Sequence, residues 1–224
     1  MAGYHTVRQG EHVSGIAQKY GFYSWRPLWD APENAELRQA RKTPDVLLPG
    51  DQLFIPDRQT KEVAEPTDQK HRYTVAGRPL RLRVKIGRRF CEAVSNAACE
   101  FDVGGSASNM STDGAGALER ELPLPLRTAE TGQVRFEEPV TTDAQTLSRP
   151  QNIALKLGHL DPVDEVSGQV GRLRNLGYYP LPAGEPDPEL FRAAVEEFQC
   201  EHNLAVDGIC GPVTQAKLEE VYGC

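Results

Sequence analysis

Three different rhythms of apolar residues follow one another along the chain. In the first sixty residues, positions 4–7 read as a short strand, and Val13, Ile16, Ala17 and Tyr20 then recur at i, i+3, i+4 and i+7, the spacing of one helix face. Gly21 stands where a C-cap glycine closes such a helix. Ser24 can cap a second helix with Pro27 in its first turn and Trp25, Leu28 and Trp29 on one side. Residues 46–51 turn into a second strand, Gln52–Ile55, which Pro56 stops. The predicted order is strand, helix, helix, strand.

The second rhythm has period two. Residues 72–75 and 80–86 alternate, with Leu80, Leu82, Val84 and Ile86 on one face and Arg81, Arg83 and Lys85 on the other. Residues 98–103, 116–122, 132–136 and 153–157 are further strand candidates, separated by turn-rich stretches such as 104–106 and 112–114. A small antiparallel β-sandwich is expected. The third rhythm is helical again: Val163, Val166, Val170, Leu173 and Leu176 run up to Gly177. Asp187-Pro188 opens a helix with Leu190, Phe191, Ala194, Val195 and Phe198 inward, and Gly211-Pro212 opens another with Ala216, Leu218 and Val221. The fold class that results is a multidomain α+β chain: a βααβ module at 1–57, a linker at 58–70, a β-sandwich at 71–160 and three helices at 161–224.

Charge sharpens this division. The net charge of −7 resides in residues 151–224, with 5 Lys/Arg against 12 Asp/Glu, while the stretches before it balance. No segment is basic, which argues against nucleic acid and against anionic membrane surfaces as partners. No apolar run approaches the length of a spanning helix. The first residues show no apolar signal region, so synthesis in the cytoplasm without a secretory signal is expected. The five cysteines allow local pairs at Cys91/Cys99 and Cys200/Cys210, and the sequence leaves open whether these are disulfides or thiols.

Residues 4–21, Tyr-His-Thr-Val-Arg-Gln-Gly-Glu-His-Val-Ser-Gly-Ile-Ala-Gln-Lys-Tyr-Gly, completed by Pro49-Gly50-Asp51-Gln52-Leu53-Phe54-Ile55-Pro56, resemble a LysM domain. The resemblance implies a βααβ fold that binds N-acetylglucosamine-containing chains between the loop after the first strand and the loop before the second. By position, the implied contacts are Gly10, Glu11, His12 and Val13 in the first loop and Leu48, Pro49 and Gly50 in the second, with Asp30 in the link between helix and strand. The chain departs from the pattern at Glu11-His12, where Asp-Thr is usual, and in an insertion around residues 34–38. That insertion either extends the second helix or lies across the groove. A LysM fold that docks another protein is the alternative role.

Residues 111–118, Ser-Thr-Asp-Gly-Ala-Gly-Ala-Leu, resemble the T-D-x-x-G hairpin of Ig-like and transthyretin-like domains, with Asp113 expected to cap the turn. Residues 170–178, 194–199 and 204–218 resemble the peptidoglycan-binding domain 1 family. Their most specific segment is Asp207-Gly208-Ile209-Cys210-Gly211-Pro212, much of it scaffold. The resemblance implies a targeting module with a groove between helices, and the candidate contacts are Tyr178, Tyr179, Gln199, Asp207 and Thr214.

Chains with two such modules often carry a lytic enzyme, so catalytic patterns matter. His5, His12, His71, His159 and His202 are isolated, with no H-E-x-x-H or H-x-x-x-D spacing for zinc. Gly104-Gly105-Ser106 lacks the strand-to-helix elbow that exposes a nucleophile. Asp161, Asp164 and Glu165 could be imagined as paired carboxylates, but a helix start explains acidic residues there. The sequence therefore predicts no catalytic residue, no metal and no cofactor. It predicts a non-catalytic adaptor that tethers a partner to peptidoglycan, acting at the cell envelope. The alternative is a structural or cargo-adaptor component of a contractile injection machine, of the type VI secretion or phage-tail kind, partnered by a spike or effector protein.

Overall fold

A four-residue strand pair opens the structure, a computed structural model that describes residues 2–59, 68–70, 80–88, 92–122, 129–141, 146–182 and 184–223. β1 (Gly3–Thr6) pairs antiparallel with β2 (Gln52–Ile55), Tyr4 opposite Phe54 and His5 opposite Leu53. Strand alternation buries His5, Leu53 and Ile55 on one face. α1 (Val13–Lys19) sets Val13, Ile16 and Ala17 against that face, and α2 (Arg26–Trp29), with Pro27 in its first turn, adds Leu28 and Trp29. Ser24 accepts a hydrogen bond from the Arg26 N–H, although Trp25 is the N-cap residue.

The insertion does not extend α2, which ends at Trp29. It forms a 3-10 turn (Pro32–Asn34) and a separate helix, α3 (Ala35–Arg41), that folds back onto the same core through half-buried Leu37. Arg38 donates to the carbonyls of Trp29 and Ala31, which tethers α3 to the end of α2. Asn34 is the junction. It is buried, its amide donates to Leu28 O (2.7 Å) and Phe54 O (2.9 Å), and its Oδ1 accepts from Phe54 N (2.8 Å). One uncharged side chain thus satisfies backbone groups of both α2 and β2.

The chain divides into two compact units, residues 1–82 with 121–128 and residues 83–120 with 129–224. After β2 the β elements are β3 (Leu80–Lys85), β4 (Ala98–Val103), β5 (Ser106–Ser111), β6 (Ala117–Leu122), β7 (Thr131–Thr141) and β8 (Thr146–Lys156). β3 pairs with β6, and the others form an antiparallel sheet in the order β5, β4, β7, β8. Phe101, Val103 and Val134 on the larger sheet and Leu118 and Leu122 on the smaller one are buried. Arg120 reaches from β6 to the Phe101 and Ser106 carbonyls.

β5 is a strand that the apolar pattern does not reveal. Its residues are Ser-Ala-Ser-Asn-Met-Ser, and as an edge strand it is held by the ladder to β4 rather than by a buried apolar face. Asp113 caps its turn as expected, accepting from the Ala115 and Ala117 N–H groups at 2.8 Å. Arg81 and Arg83 pair with Glu121 and Glu119 across the strands, which makes that stripe a solvated, internally paired face. The strand predicted at residues 72–75 and most of the predicted linker lie outside the described residues.

The C-terminal helices fall where the sequence puts them: α4 (Val166–Leu176), α5 (Pro188–Glu201) and α6 (Pro212–Tyr222). Asp187 caps α5 by accepting from Glu189 N and Leu190 N, and Gly177 ends α4 in the left-handed conformation. Val166, expected on the apolar face, is exposed in the first turn, and Val163 just before the helix is buried in its place. α4 packs against both α5 and α6 over Val170, Leu173, Val195, Phe198 and Leu218.

A close backbone approach fixes the start of α4. A Cβ on Gly168 would overlap the carbonyl oxygens of Pro162 and Asp161. Arg172, one turn on and fully buried, donates to the Asp161 and Gly168 carbonyls at 2.9 Å each.

Two substitutions test these junctions. Gly168→Ala should destabilise the helical region by about 3 kcal/mol, because backbone must move. Asn34→Ala should cost a similar amount, about 3 kcal/mol, by orphaning buried backbone groups. Native-state amide exchange checks both, with loss of protection confined to α4–α6 in the first variant and to β2 and α2 in the second.

Candidate functional site

In the N-terminal unit, the chemistry of two loops is set by how they are tied down. Leu48-Pro49-Gly50-Asp51 forms a tight turn in which Asp51 N donates to Leu48 O, Pro49 supplies a fixed φ and Gly50 has φ 99. That is the geometry of a type II turn, in which glycine carries the positive φ. The Asp51 carboxylate closes the turn by accepting from Leu48 N and forms a two-toothed pair with Arg41, 2.8 Å to Nε and 3.0 Å to Nη2. Both partners are about nine-tenths buried. Val7 exchanges backbone hydrogen bonds with Asp51 and Gly50, and Val13 N donates to Pro44 O, so the loop after β1 and the segment before β2 run side by side.

The sequence candidates in the first loop take different parts. Gly10 is half-buried, and Val13 is fully buried in the core. His12 is the N-cap of α1, with Nδ1 accepting from Gly15 N. Glu11 is occupied on both oxygens: Oε2 accepts from His5 Nε2 (2.7 Å) and Arg8 N (3.0 Å), and Oε1 accepts from Lys19 Nζ (3.3 Å). A carboxylate only accepts, so Nε2 of His5 carries a proton, and Nδ1 faces Tyr20 OH at 3.1 Å. Leu48 is half-buried, and Pro49 and Gly50 are exposed at the tip of the second loop. Asp30 is the exposed C-cap of α2.

Partial burial pushes the Glu11 carboxyl upward, but hydrogen bonds from His5 and Arg8 N, the His5 charge and Lys19 outweigh it and leave the carboxyl below its usual range. A lowered folded pKa means that the stabilisation is present above the unfolded value and is lost as pH falls through the folded one.

In the helical unit, a single side chain collects the candidates. Gln199 is fully buried; its Nε2 bonds Asp207 Oδ1 (2.8 Å), Ile209 O (3.0 Å) and Thr214 Oγ1 (3.0 Å), and its Oε1 accepts from Asp207 N and Gly208 N at 3.0 Å each. Asp207 accepts in addition from Ile209 N, and these bonds, the Ile209 N–H first, hold its carboxyl below the usual range. Gln199, Asp207 and Thr214 are therefore brought together, but to build the turn between α5 and α6. Tyr179 is buried, its OH accepting from Asp187 N. Tyr178 packs edge-on against Phe198 and bonds Glu201 and His202 through its hydroxyl. The buried members of this set present no surface to a ligand.

Three of the four cysteines weighed for pairing lie among the described residues. Cys200 is exposed on α5, whereas Cys210 is half-buried beyond the turn, and both are free thiols, as is buried Cys99. Burial pushes the Cys210 thiol up to about 11. Cys91 lies outside the described residues.

Of the carboxylates at the helix start, Asp161 accepts from Ser167 Oγ at 2.7 Å, and Glu165 is the N-cap of α4 without a side-chain cap bond. Ser106 accepts from Arg120 in a hairpin turn. Among the described residues, no group of three His, Cys, Asp or Glu is arranged to hold a metal ion. No helix among them is long and apolar enough to cross a membrane.

Residues 163–218 match a family model described as a putative peptidoglycan binding domain. The match covers the start of the helical region to late α6 and contains the whole Gln199-centred turn. No curated protein and no solved structure matches the chain. The exposed aliphatic residues around that turn, Val206, Ile209 and Val213, escaped the sequence candidates, because an inward-facing period says nothing of which apolar residues a loop leaves outside.

The Glu11 cluster yields a pH test. The Arg8 amide resonance of the full chain should titrate with a midpoint below 4.5, the ordinary value for Glu11. In Glu11→Gln this titration should vanish, and a midpoint above the ordinary value would contradict the cluster.

Proposed function

We propose that the protein is a non-catalytic peptidoglycan-binding adaptor with two wall-contacting modules. The observation that carries this reading is the match of residues 163–218 to the peptidoglycan-binding family, in a region of three helices. Peptidoglycan is the partner that the family match supports, and the cell wall is where such a module acts.

The LysM reading of the first unit supplies the second contact. Two backbone-rich loops, residues 10–13 after β1 and 48–50 before β2, are held rigid by the Glu11 and Arg41–Asp51 clusters, and backbone bonds join Val7 to Gly50 and Val13 to Pro44. Rigid loops lose little entropy when a glycan chain settles on them, and their backbone groups can hydrogen-bond N-acetyl and hydroxyl groups. Glu11 positions its loop in this reading, and contact falls to the peptide groups near Gly10 and to the exposed Pro49-Gly50 tip. Two modest sites on one chain raise retention on a polymer when both can engage it.

Three of the groups weighed for catalysis have structural partners. Asp161 binds Ser167, Ser106 sits in a hairpin, and His5 serves the first loop. The adaptor reading therefore assigns no bond-breaking step to the chain.

Co-sedimentation with purified sacculi tests the proposal. The full chain should be retained well above an unrelated protein of equal size and charge, and no soluble muropeptides should appear in the supernatant. Retention equal to the control removes the wall-binding reading, and muropeptide release removes the non-catalytic one.

A further inference from the structure

Val206, Ile209 and Val213 are 56%, 66% and 71% exposed, three branched aliphatic side chains within eight residues. The Gln199 amide gathers them. Val206 precedes Asp207, whose N–H bonds Gln199; Ile209 bonds Gln199 through its carbonyl; Val213 precedes Thr214, whose hydroxyl bonds Gln199. The three therefore project around one small turn held by one buried amide. Large aliphatic side chains placed together on a rigid turn and left to water mark a contact surface.

Charge selects the occupant. Residues 151–224 hold 12 acidic and 5 basic side chains. The four basic residues of the helical region all bond within it: Arg172 to the Asp161 and Gly168 carbonyls, Arg174 to the Leu181 carbonyl, Arg192 to Glu196 and Lys217 to Glu220. A second copy would bring two acidic regions together. Phosphate-bearing or carboxylate-bearing wall polymers meet the same repulsion, and the three side chains of the patch offer a sugar neither an aromatic ring nor an amide. The Asp207 carboxylate beside it is already accepting from Ile209 N and Gln199.

We propose that the turn carrying Val206, Ile209 and Val213 is a docking surface for a partner protein, engaged through a segment that presents aliphatic side chains flanked by Lys or Arg. Apolar contact supplies the affinity at the turn, and opposite charge on the surrounding helices speeds and orients the encounter. The surface provides the cargo side of the adaptor and rests on that reading for its role.

A short synthetic Leu/Lys amphipathic peptide and its Leu/Glu counterpart serve as probes, titrated into the full chain with the methyl resonances observed. The Leu/Lys peptide should shift Val206, Ile209 and Val213, bind at least about tenfold more weakly to Ile209→Asp, and weaken when salt is raised to about 0.5 M. The Leu/Glu peptide should leave these methyls unmoved, and Ile209→Asp should keep its retention on sacculi. Should Ile209→Asp disturb the helical fold, Val213→Asp replaces it.

Four results overturn the proposal. They are Leu/Lys binding that ignores the substitution, equal binding of both peptides, the same methyls shifting with muropeptides, or a concentration-dependent dimer that Ile209→Asp abolishes. Loss of sacculus retention in the variant would overturn it as well, by moving the wall contact to this turn, and would leave the wall-binding proposal standing. Failure of the wild type on sacculi would remove the wall-binding proposal alone.

Discussion

A buried primary amide organises each candidate region: Asn34 in the first unit and Gln199 among the helices. An amide carries donor and acceptor on one uncharged group, so it can saturate both N–H and C=O groups of nearby backbone without the cost of burying a charge. Asn34 joins the end of α2 to β2 and so fixes where the second loop begins its strand. Gln199 bonds Asp207, Gly208, Ile209 and Thr214 and thereby shapes the whole connection from α5 to α6. Inside a low-dielectric core these bonds strengthen, and loss of any one leaves an unpaired group.

Around these amides, charge plays two separate parts. The Arg41–Asp51 pair and the Glu11 cluster rigidify loops, each charge meeting an opposite one or a backbone N–H at short range. The acidic excess of the helical region is not neutralised from within, since its cations are already engaged. In the proposed reading, wall contact by that region rests on shape and hydrogen bonding, and charge is left to select the basic protein partner.

Much of the fold was legible in the sequence because periodicity and punctuation agree. Asp187-Pro188, Gly211-Pro212 and Gly177 mark the helix ends where the structure has them, and β2 and β4 begin and end as the apolar alternation predicts. β5 was not legible: an edge strand of serines has no apolar face to announce it. Nor was α3, since Asn34 reads as a loop residue until its side chain is seen buried between two backbone segments. The candidate site was legible as a set of neighbours and not as a set of roles. Asp207 and Thr214 do meet Gln199, but to build a turn, because a motif that builds a turn and a motif that binds a ligand use the same polar residue types.

The central claim is that this chain recognises peptidoglycan through its folded modules without cutting it. Titration of the isotopically labelled full chain with soluble muropeptides tests it most directly. The account predicts saturable amide shifts in the helical region and at residues 10–13 and 48–50, with the muropeptides recovered intact. Unmoved resonances in both regions, or cleaved muropeptides, would contradict it.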